Sequence, residues 1–325
     1  MTANNNNKTE KFVIDFHVHL FAAGHLPGRW FDVLAGHLTA SRHDGRDRQA
    51  LADRLEARIL DPDATFLMAD LDAAGVGAVV SHPLDYGLAI GEPRASVEEI
   101  VAHNARLQQR WAGRYYSYTS IDPRRSNAPA FVRMTARKYG LKGVNLYPPA
   151  GFDPACPESL AVCRVAAEEN LPVLFHTGGA NYPMRPRYGS PLLLGDVQAE
   201  LPELKIIIGH AGFPYQWTEA VVVARRNPNA YLEISQWYKL ASRNYEEFVR
   251  ILTEIKSEIG SERLLFGSDH LSGPKVGQNK STLGPWLAAI RQLPEVTADF
   301  TAADVDLILG GNALSLLKIG GTHHA

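Results

Sequence analysis

Short runs of apolar residues alternate with longer amphipathic stretches along most of the chain. The short runs predict eight strands, at residues 12–17, 77–81, 115–121, 143–147, 173–176, 205–209, 231–234 and 264–267. The amphipathic stretches predict helices, among them 64–74, 97–111, 128–139, 159–169, 217–226 and 245–259. Strands of this length that alternate with helices are typical of βαβ units in a parallel sheet.

The ends of several predicted helices carry the expected signals. Asp63 and Asn244 stand where an N-cap side chain would accept a hydrogen bond from the first helical turn. Gly75, Gly113 and Gly140 stand just beyond helix ends, where a left-handed residue is needed. These signals support the helix boundaries.

Eight strand–helix units fit an α/β fold of the (β/α)8 TIM-barrel type. The alternative is an open, doubly wound sheet, which usually carries a glycine-rich phosphate loop after an early strand, whereas here the first strand runs into His17 and His19. Two regions exceed what a barrel needs, residues 21–61 and 271–325. We therefore predict a distorted barrel at 12–320, with an insertion after strand 1 and extra C-terminal helices, preceded by a disordered tail at 1–11.

Composition and charge narrow the possible classes of function. Of the 325 residues, 45% are apolar and 21% are charged, with a formal net charge of −2. Such a chain can form a large core, has no basic excess for nucleic acid or anionic lipid, and has no apolar run long enough to cross a membrane. Cys156 and Cys163 stand two helical turns apart, so free thiols and a cytoplasmic location are expected.

Five side chains that can bind metal are predicted at the C-terminal ends of strands. His17 and His19 end the first strand, and two residues apart on a strand they face the same side. His176, His210 and Asp269 follow three later apolar runs. Active sites of (β/α)8 barrels lie at this end. Nitrogen ligands with one carboxylate suit zinc, and also manganese, iron or cobalt.

Five segments together resemble the amidohydrolase superfamily. They are IDFHVHL at 14–20, FHTGG at 175–179, IGHAG at 208–212, LFGSDH at 265–270 and GGNAL at 310–314. The resemblance spans residues 12–317. It is to the branch that includes aminocarboxymuconate-semialdehyde and hydroxybenzoate decarboxylases together with several lactone and amide hydrolases.

The resemblance implies a ligand set and a catalytic imidazole. By it, His17, His19, His176 and Asp269 would hold the metal, and His210 would be catalytic or orient the substrate. Binuclear members carry a carboxylated lysine where this chain has Asn145, so we expect one divalent ion, with zinc favoured and manganese the alternative. Asn145 either contacts the substrate or makes a structural hydrogen bond, and Asp15 is expected to be a structural partner beneath the metal.

Hydrolysis is the favoured reaction on the sequence alone. Asp269 could accept a proton from water, and His210 could polarise the scissile carbonyl of an amide, ester or lactone. The alternative is non-oxidative decarboxylation of an aromatic or unsaturated acid. Many hydroxybenzoate decarboxylases of this branch have a glutamate where this chain has Phe213, although the aminocarboxymuconate enzymes lack it too.

Loops that follow the strands supply the candidate substrate contacts. They are Asn145, Tyr147, Arg185, Arg187, Phe213, Tyr215 and Trp237. Aromatic walls suit a small planar substrate, and an arginine could bind a carboxylate with two hydrogen bonds. We expect a small-molecule substrate and a homo-oligomer, a dimer. The 21–61 segment should cover the barrel mouth or form a subunit contact.

Overall fold

The computed structural model describes residues 12–42, 47–274 and 281–319, so the predicted tail at 1–11 lies outside the described residues. The strands are β1 (Ile14–His19), β2 (Ala78–Ser81), β3 (Tyr115–Ser117), β4 (Thr119–Ser120), β5 (Val144–Leu146), β6 (Val173–His176), β7 (Ile206–Gly209), β8 (Ala230–Glu233), β9 (Leu264–Leu265) and β10 (His270–Leu271).

The helices surround these strands. They are α1 (Gly28–Arg42), α2 (Arg48–Arg58), α3 (Thr65–Ala74), α4 (Gly87–Ile90), α5 (Val97–Arg110), α6 (Ala128–Tyr139), α7 (Pro157–Glu168), α8 (Leu193–Glu200), α9 (Trp217–Arg225), α10 (Tyr238–Ala241), α11 (Tyr245–Ile259), α12 (Leu283–Arg291), α13 (Leu293–Val296), α14 (Ala302–Asp306) and α15 (Asn312–Leu317). In the part of the chain that the structure describes, no helix has the length and apolarity needed to span a bilayer.

The strands form a parallel (β/α)8 barrel. Two ladders run in the orders β10-β1-β2-β3 and β4-β5-β6-β7-β8-β9. Tyr118 alone separates β3 from β4, and its N–H donates to Ser81 O at 3.0 Å, so the two pieces form one barrel strand. At the other seam the Phe16 N–H donates to Phe266 O at 2.8 Å, next to β9. The predicted fold class is confirmed.

The core has an inner and an outer layer because strand side chains alternate between the two faces. Ile14, Phe16 and Val80 pack inside the barrel, whereas Val79 belongs to the larger layer beneath the helices. Both layers are buried, which explains why the strands read as short, nearly continuous apolar runs.

One helix cap differs from the sequence prediction. The cap at α11 is confirmed, since Asn244 Oδ1 accepts from Glu247 N at 3.2 Å. At α3, however, the capping side chain is Asp61 and not Asp63. Its carboxylate accepts from Leu67 N at 2.8 Å and from Phe66 N at 3.2 Å. The carboxylate of Asp63 is exposed and pairs with Arg110 instead.

The 21–61 insertion packs over the catalytic face. Phe21 bridges to Leu60 at the two ends of the segment. Its buried residues form a separate apolar cluster with residues of later loops, including Phe21, Leu26, Phe31, Leu51, Tyr86 and Met184. Whether the segment covers the barrel mouth or forms a subunit contact stays a prediction.

The closing segment packs against the first strand. A π-helical turn, Leu307–Gly311, joins α14 to α15. A Cβ at Gly310 would lie 2.1 Å from Phe12 O, so only glycine fits there. Asn312 Nδ2 donates to Ser261 O and Leu264 O at 2.7 and 2.8 Å, which ties α15 to the barrel.

Candidate active site

Three of the predicted metal ligands meet at the C-terminal end of the barrel. One potential ligand atom each from His17, His19 and Asp269 lies within 4.8 Å of the others. The Nε2 atoms of His17 and His19 lie 3.8 and 3.1 Å from Asp269 Oδ1. The pairing of β1 with β10 brings the two histidines beside the chain segment that carries Asp269.

The Nδ1 atoms of His17 and His19 each have a hydrogen-bond acceptor. His17 Nδ1 lies 2.8 Å from Glu233 Oε2, and His19 Nδ1 lies 2.6 Å from His82 O. Both imidazoles must donate from Nδ1, so in their neutral forms both Nε2 lone pairs face the Asp269 carboxylate. Three lone-pair donors that converge with no proton between them fit a divalent cation.

The charge distribution around this cluster also favours a cation. Burial alone would raise the pKa of Asp269, but the His19 hydrogen bond and the neighbouring imidazoles hold that pKa well below its usual range. Burial alone would lower the pKa of His17, but the Glu233 and Asp269 carboxylates outweigh it and raise that pKa. The same carboxylate charge that raises the pKa of His17 would stabilise a cation bound beside it.

His210 and His176 form a second imidazole pair beside the cluster. His210 Nε2 lies 3.0 Å from His176 Nδ1, and the His210 ring stacks on that of His17 with centroids 4.8 Å apart. His176 Nε2 lies 3.0 Å from Gly179 O. Among the described residues, the groups with metal-ligand spacing do not include His176, which the sequence placed in the ligand set.

The proton positions in this pair follow from its partners. Ser235 Oγ donates to Glu233 Oε2 at 2.9 Å, so it accepts from His210 Nδ1, 2.6 Å away. His210 Nε2 is then an acceptor, and His176 Nδ1 supplies the proton. Burial lowers the pKa of His176 to about 4, so the ring is neutral and has one proton for two acceptors.

Glu233 is the functional side chain that the sequence reasoning missed. It is fully buried at the end of β8, and its Oε2 also accepts from His210 N at 3.1 Å. The ligand atoms of His17, His210 and Glu233 form a second group with metal-ligand spacing. A carboxylate within a buried apolar strand was the available signal, because a buried charge needs partners.

Backbone strain is concentrated around these groups. Left-handed φ angles occur at His210 (59°), Ala211 (46°), Gln236 (66°) and Asp269 (56°). Such angles are unfavourable for residues other than glycine and persist where the surrounding structure enforces them, often at functional sites. The Trp237 indole N–H helps to hold the His210 backbone in this conformation, since it donates to His210 O at 2.8 Å.

A cavity of about 650 Å³ opens directly onto the ligand cluster. His19, His176, His210 and Asp269 line its floor. Aromatic side chains form much of its wall, namely Phe21, Trp30, Tyr86, Tyr147, Phe213 and Tyr238. Its volume lies within the range of pockets for small organic ligands.

The structure brings only some of the candidate substrate contacts to this cavity. Tyr147 and Phe213 line it, with the Tyr147 ring centroid 4.3 Å from that of His176. Trp237 is fully buried behind His210. Arg185, Arg187 and Tyr215 are exposed and lie outside the described cavity lining.

Asn145 and Asp15 make structural hydrogen bonds. Asn145 Nδ2 donates to Pro83 O at 2.9 Å. Asp15 Oδ1 accepts from Ser268 N at 2.9 Å, which fixes the chain just before Asp269, and burial raises the pKa of Asp15 to about 6. For Asp15 this is the structural role expected from the sequence.

Comparison with known proteins identifies the family. The model of the amidohydrolase family matches residues 14–319. A search of curated proteins gives no match.

Solved structures with the same fold include proteins named for two reactions. A 5-carboxyvanillate decarboxylase from Sphingomonas paucimobilis has a TM-score of 0.65 and 15% identity, covering 95% of this chain and 99% of its own. A dihydroxybenzoic acid decarboxylase from a Polaromonas species, with bound manganese, has a TM-score of 0.63 and 16% identity over 95% and 97%. A probable 2-pyrone-4,6-dicarboxylic acid hydrolase from Acinetobacter baumannii has a TM-score of 0.60 and 16% identity over 94% and 99%.

Proposed function

The chain belongs to the amidohydrolase family, and on this basis we propose that it is a metal-dependent carboxy-lyase. It would remove the carboxylate of a small aromatic or unsaturated acid as carbon dioxide, without an oxidant. This reverses the order of preference that the sequence suggested, since hydrolysis was the favoured reaction there. The decarboxylases among the structures of the same fold support the change.

The observation that carries the proposal is the aromatic cavity next to the ligand cluster. Trp30, Tyr86 and Tyr147 lie with ring centroids 5.4 and 4.8 Å apart along one wall. Tyr147 in turn packs against His176. A planar acid can stack on such a wall with its oxygens directed at the cluster.

His17, His19 and Asp269 would hold the divalent ion, zinc or manganese. The family resemblance implies His176 as a further ligand, although among the described residues it lies outside the groups with metal-ligand spacing. When bound, the ion would supply a positive charge that withdraws electrons from substrate oxygens. Glu233 and His82 O fix the Nδ1 protons of His17 and His19, and so keep both Nε2 atoms available as ligands.

The chain's own residues would handle the proton. Decarboxylation leaves an electron pair on the substrate carbon, and a proton must replace the carbon dioxide. His176 and His210 share one proton across 3.0 Å and both line the cavity. The Ser235–Glu233 pair orients His210, so we propose that this imidazole pair relays a proton from solvent to that carbon and is reprotonated by solvent in the same step.

Hydrolysis of an amide, ester or lactone is the second candidate. Phe213 lines the cavity where many decarboxylases of the resembled branch carry glutamate. Asp269 would then accept a proton from water, and His210 would stabilise the oxyanion. The probable pyrone dicarboxylic acid hydrolase of the same fold supports this reading.

Isotope incorporation separates the two reactions. The protein, loaded with Zn²⁺ or Mn²⁺, is incubated with hydroxybenzoates, unsaturated acids, aryl esters, lactones and amides, in D₂O or in H₂¹⁸O. The carboxy-lyase should release carbon dioxide and place one deuteron on the carbon that lost it, with no ¹⁸O in the organic product. A hydrolase should place ¹⁸O in the new carboxylate and release no carbon dioxide, which would overturn the proposal.

Variants connect either activity to this site. Asp269→Asn should lower turnover by about 100-fold or more, and His210→Asn by roughly 100- to 1000-fold. Lys138→Met, on the exposed face of α6, is the matched control and should keep full activity. Unchanged turnover in both site variants would exclude the cluster as the catalytic centre.

A further inference from the structure

One cationic side chain lines the described part of the cavity. Among the described lining residues, Lys239 is the single lysine or arginine and Asp269 the single acid. Lys239 belongs to α10, whereas Asp269 belongs to the ligand cluster on the cavity floor. The cavity therefore presents one cationic side chain in addition to the ligand cluster.

Gln236 links these two groups. Its Nε2 donates to Asp269 Oδ2 at 2.7 Å, and its Oε1 accepts from Lys239 Nζ at 2.5 Å. The left-handed backbone of Gln236, with φ of 66°, holds the amide between them. The lysine ammonium thus lies one side-chain amide away from Asp269.

The Lys239 ammonium has capacity for another acceptor. Of its three donors, one is used by Gln236 in residues 12–42, 47–274 and 281–319. Across the same ranges no carboxylate pairs with it. The side chain is exposed, so a ligand can reach it without displacing an ion-pair partner.

We propose that Lys239 binds a second acidic group of the substrate, so that the substrate is a planar diacid. This rests on the proposed function: the reacting carboxylate lies toward His17, His19 and Asp269, and the retained one contacts Lys239 across the ring. Gln236 is a positioning residue that sets the spacing between the two ends. The lysine takes the role that the sequence assigned to Arg185 or Arg187, which lie outside the described lining.

Ligand binding tests this without requiring turnover. The affinities of metal-loaded protein for benzene-1,3-dicarboxylate and for 3-carbamoylbenzoate, in which an uncharged amide replaces one carboxylate, are measured by calorimetry. The wild-type protein should bind the diacid roughly tenfold more tightly, the scale of a charge-assisted hydrogen bond. Lys239→Met keeps a chain of similar length without the charge, and should remove this preference while leaving the affinity for 3-carbamoylbenzoate within about twofold.

Control variants make the result specific. Lys138→Met and Arg187→Met should keep the wild-type preference, and Lys239→Arg should keep most of it. A preference in Lys239→Met equal to that of wild type would overturn the inference, as would a wild-type protein with no preference. Diacid binding through Lys239, with no carbon dioxide released from any of the hydroxybenzoates or unsaturated acids, would refute the carboxy-lyase alone. Carbon dioxide release without a Lys239-dependent preference would refute this inference alone.

Discussion

The Glu233 side chain controls the protonation of two imidazoles at once. Its Oε2 accepts directly from His17 Nδ1 and reaches His210 Nδ1 through Ser235 Oγ. Its Oε1 accepts from Ser235 N at 2.6 Å. All its partners are donors, so no neutral side chain of the same shape can satisfy them.

Glu233→Gln should weaken metal binding by about 10- to 100-fold, as expected for loss of an outer hydrogen-bond partner of a ligand. The glutamine amide would place an N–H against a donor at one of the two oxygen positions, and the His17 ring would lose its fixed orientation. Competition with a chromophoric chelator measures the dissociation constant. Glu246→Gln, at an exposed position of α11, is the control.

Ser235→Ala separates the two branches of this network. It leaves the Glu233–His17 hydrogen bond in place, so metal affinity should stay near wild type while turnover falls. An unchanged metal affinity in a folded Glu233→Gln variant, judged by its circular dichroism, would show that Glu233 does not orient the ligand. Equal losses of affinity in both variants would show that the branches are not separate.

Sequence position revealed the histidines and Asp269 because each follows an apolar run, where barrel strands end. The same reasoning could not locate Lys239 or Gln236, which lie in a loop and a short helix whose path depends on tertiary packing. The sequence also suggested Arg185 and Arg187 as substrate contacts, because they follow a strand. A loop sequence does not reveal which way its side chains point. Both arginines are exposed and lie outside the described lining of the cavity.

At the scale of single elements, the start of α3 shows why caps are hard to assign from sequence. Asp61 and Asp63 both precede the helix, and only the fold decides which one bends back over it. Asp61 is buried and also accepts from Ser272 Oγ at 2.5 Å, so it joins α3 to the segment after β10. Ala64 takes up the left-handed turn between the cap and the helix, with φ of 58°.

Asp61→Ala should therefore lower the free energy of unfolding by about 2 kcal/mol or more, since it removes a cap and leaves buried donors without an acceptor. Asp63→Ala should cost less than about 1 kcal/mol, because its pair with Arg110 is exposed. Urea unfolding of both variants measures the difference. Equal losses would contradict the assignment of Asp61 as the cap.

The start of α14 gives a pH-dependent contribution to stability. Asp304 accepts from Ser261 Oγ at 2.6 Å, Lys256 Nζ at 2.9 Å and Thr301 N at 2.8 Å. Burial alone would raise the pKa of Asp304, but these hydrogen bonds hold it well below its usual range. A lowered pKa in the folded state means that the carboxylate stabilises the fold above its unfolded pKa of about 3.9.

Asp304→Asn should accordingly reduce stability by about 1–3 kcal/mol at pH 7. The difference from wild type should shrink as the pH falls below about 4, because the wild-type carboxyl then loses the advantage of its charge. Urea unfolding at several pH values tests this. Asp72→Asn, which changes an exposed carboxylate, should give a small difference throughout. A gap for Asp304→Asn that stays constant from pH 7 to pH 3 would contradict the argument.

At the scale of the whole molecule, the period of the apolar runs predicted the barrel because each strand has one face inside it and the other beneath a helix. The interruption of strands was not predictable in this way. β3 and β4 are separated by one residue, and β9 and β10 by four, the last of which is Asp269 with its left-handed backbone. The ligand cluster thus lies at an irregular seam.

Because the ligand cluster lies at this seam, metal binding should increase the stability of the whole fold. His17 and His19 come from the first strand, and Asp269 follows the last, so the ligands join the two ends of the barrel sequence. An ion that binds the native state alone, when its free concentration is 1000 times the dissociation constant, stabilises that state by about 4 kcal/mol.

Removal of metal by a chelator should therefore lower the melting temperature by at least about 5 °C, and restoration of Zn²⁺ or Mn²⁺ should recover it. Hydrogen exchange should show the loss of protection chiefly in peptides that contain β1 and residues 264–271, with β5 and β6 little changed. An identical melting temperature with and without metal, in a protein shown by elemental analysis to lose and regain one ion per chain, would show that the ligands do not couple the two ends of the barrel.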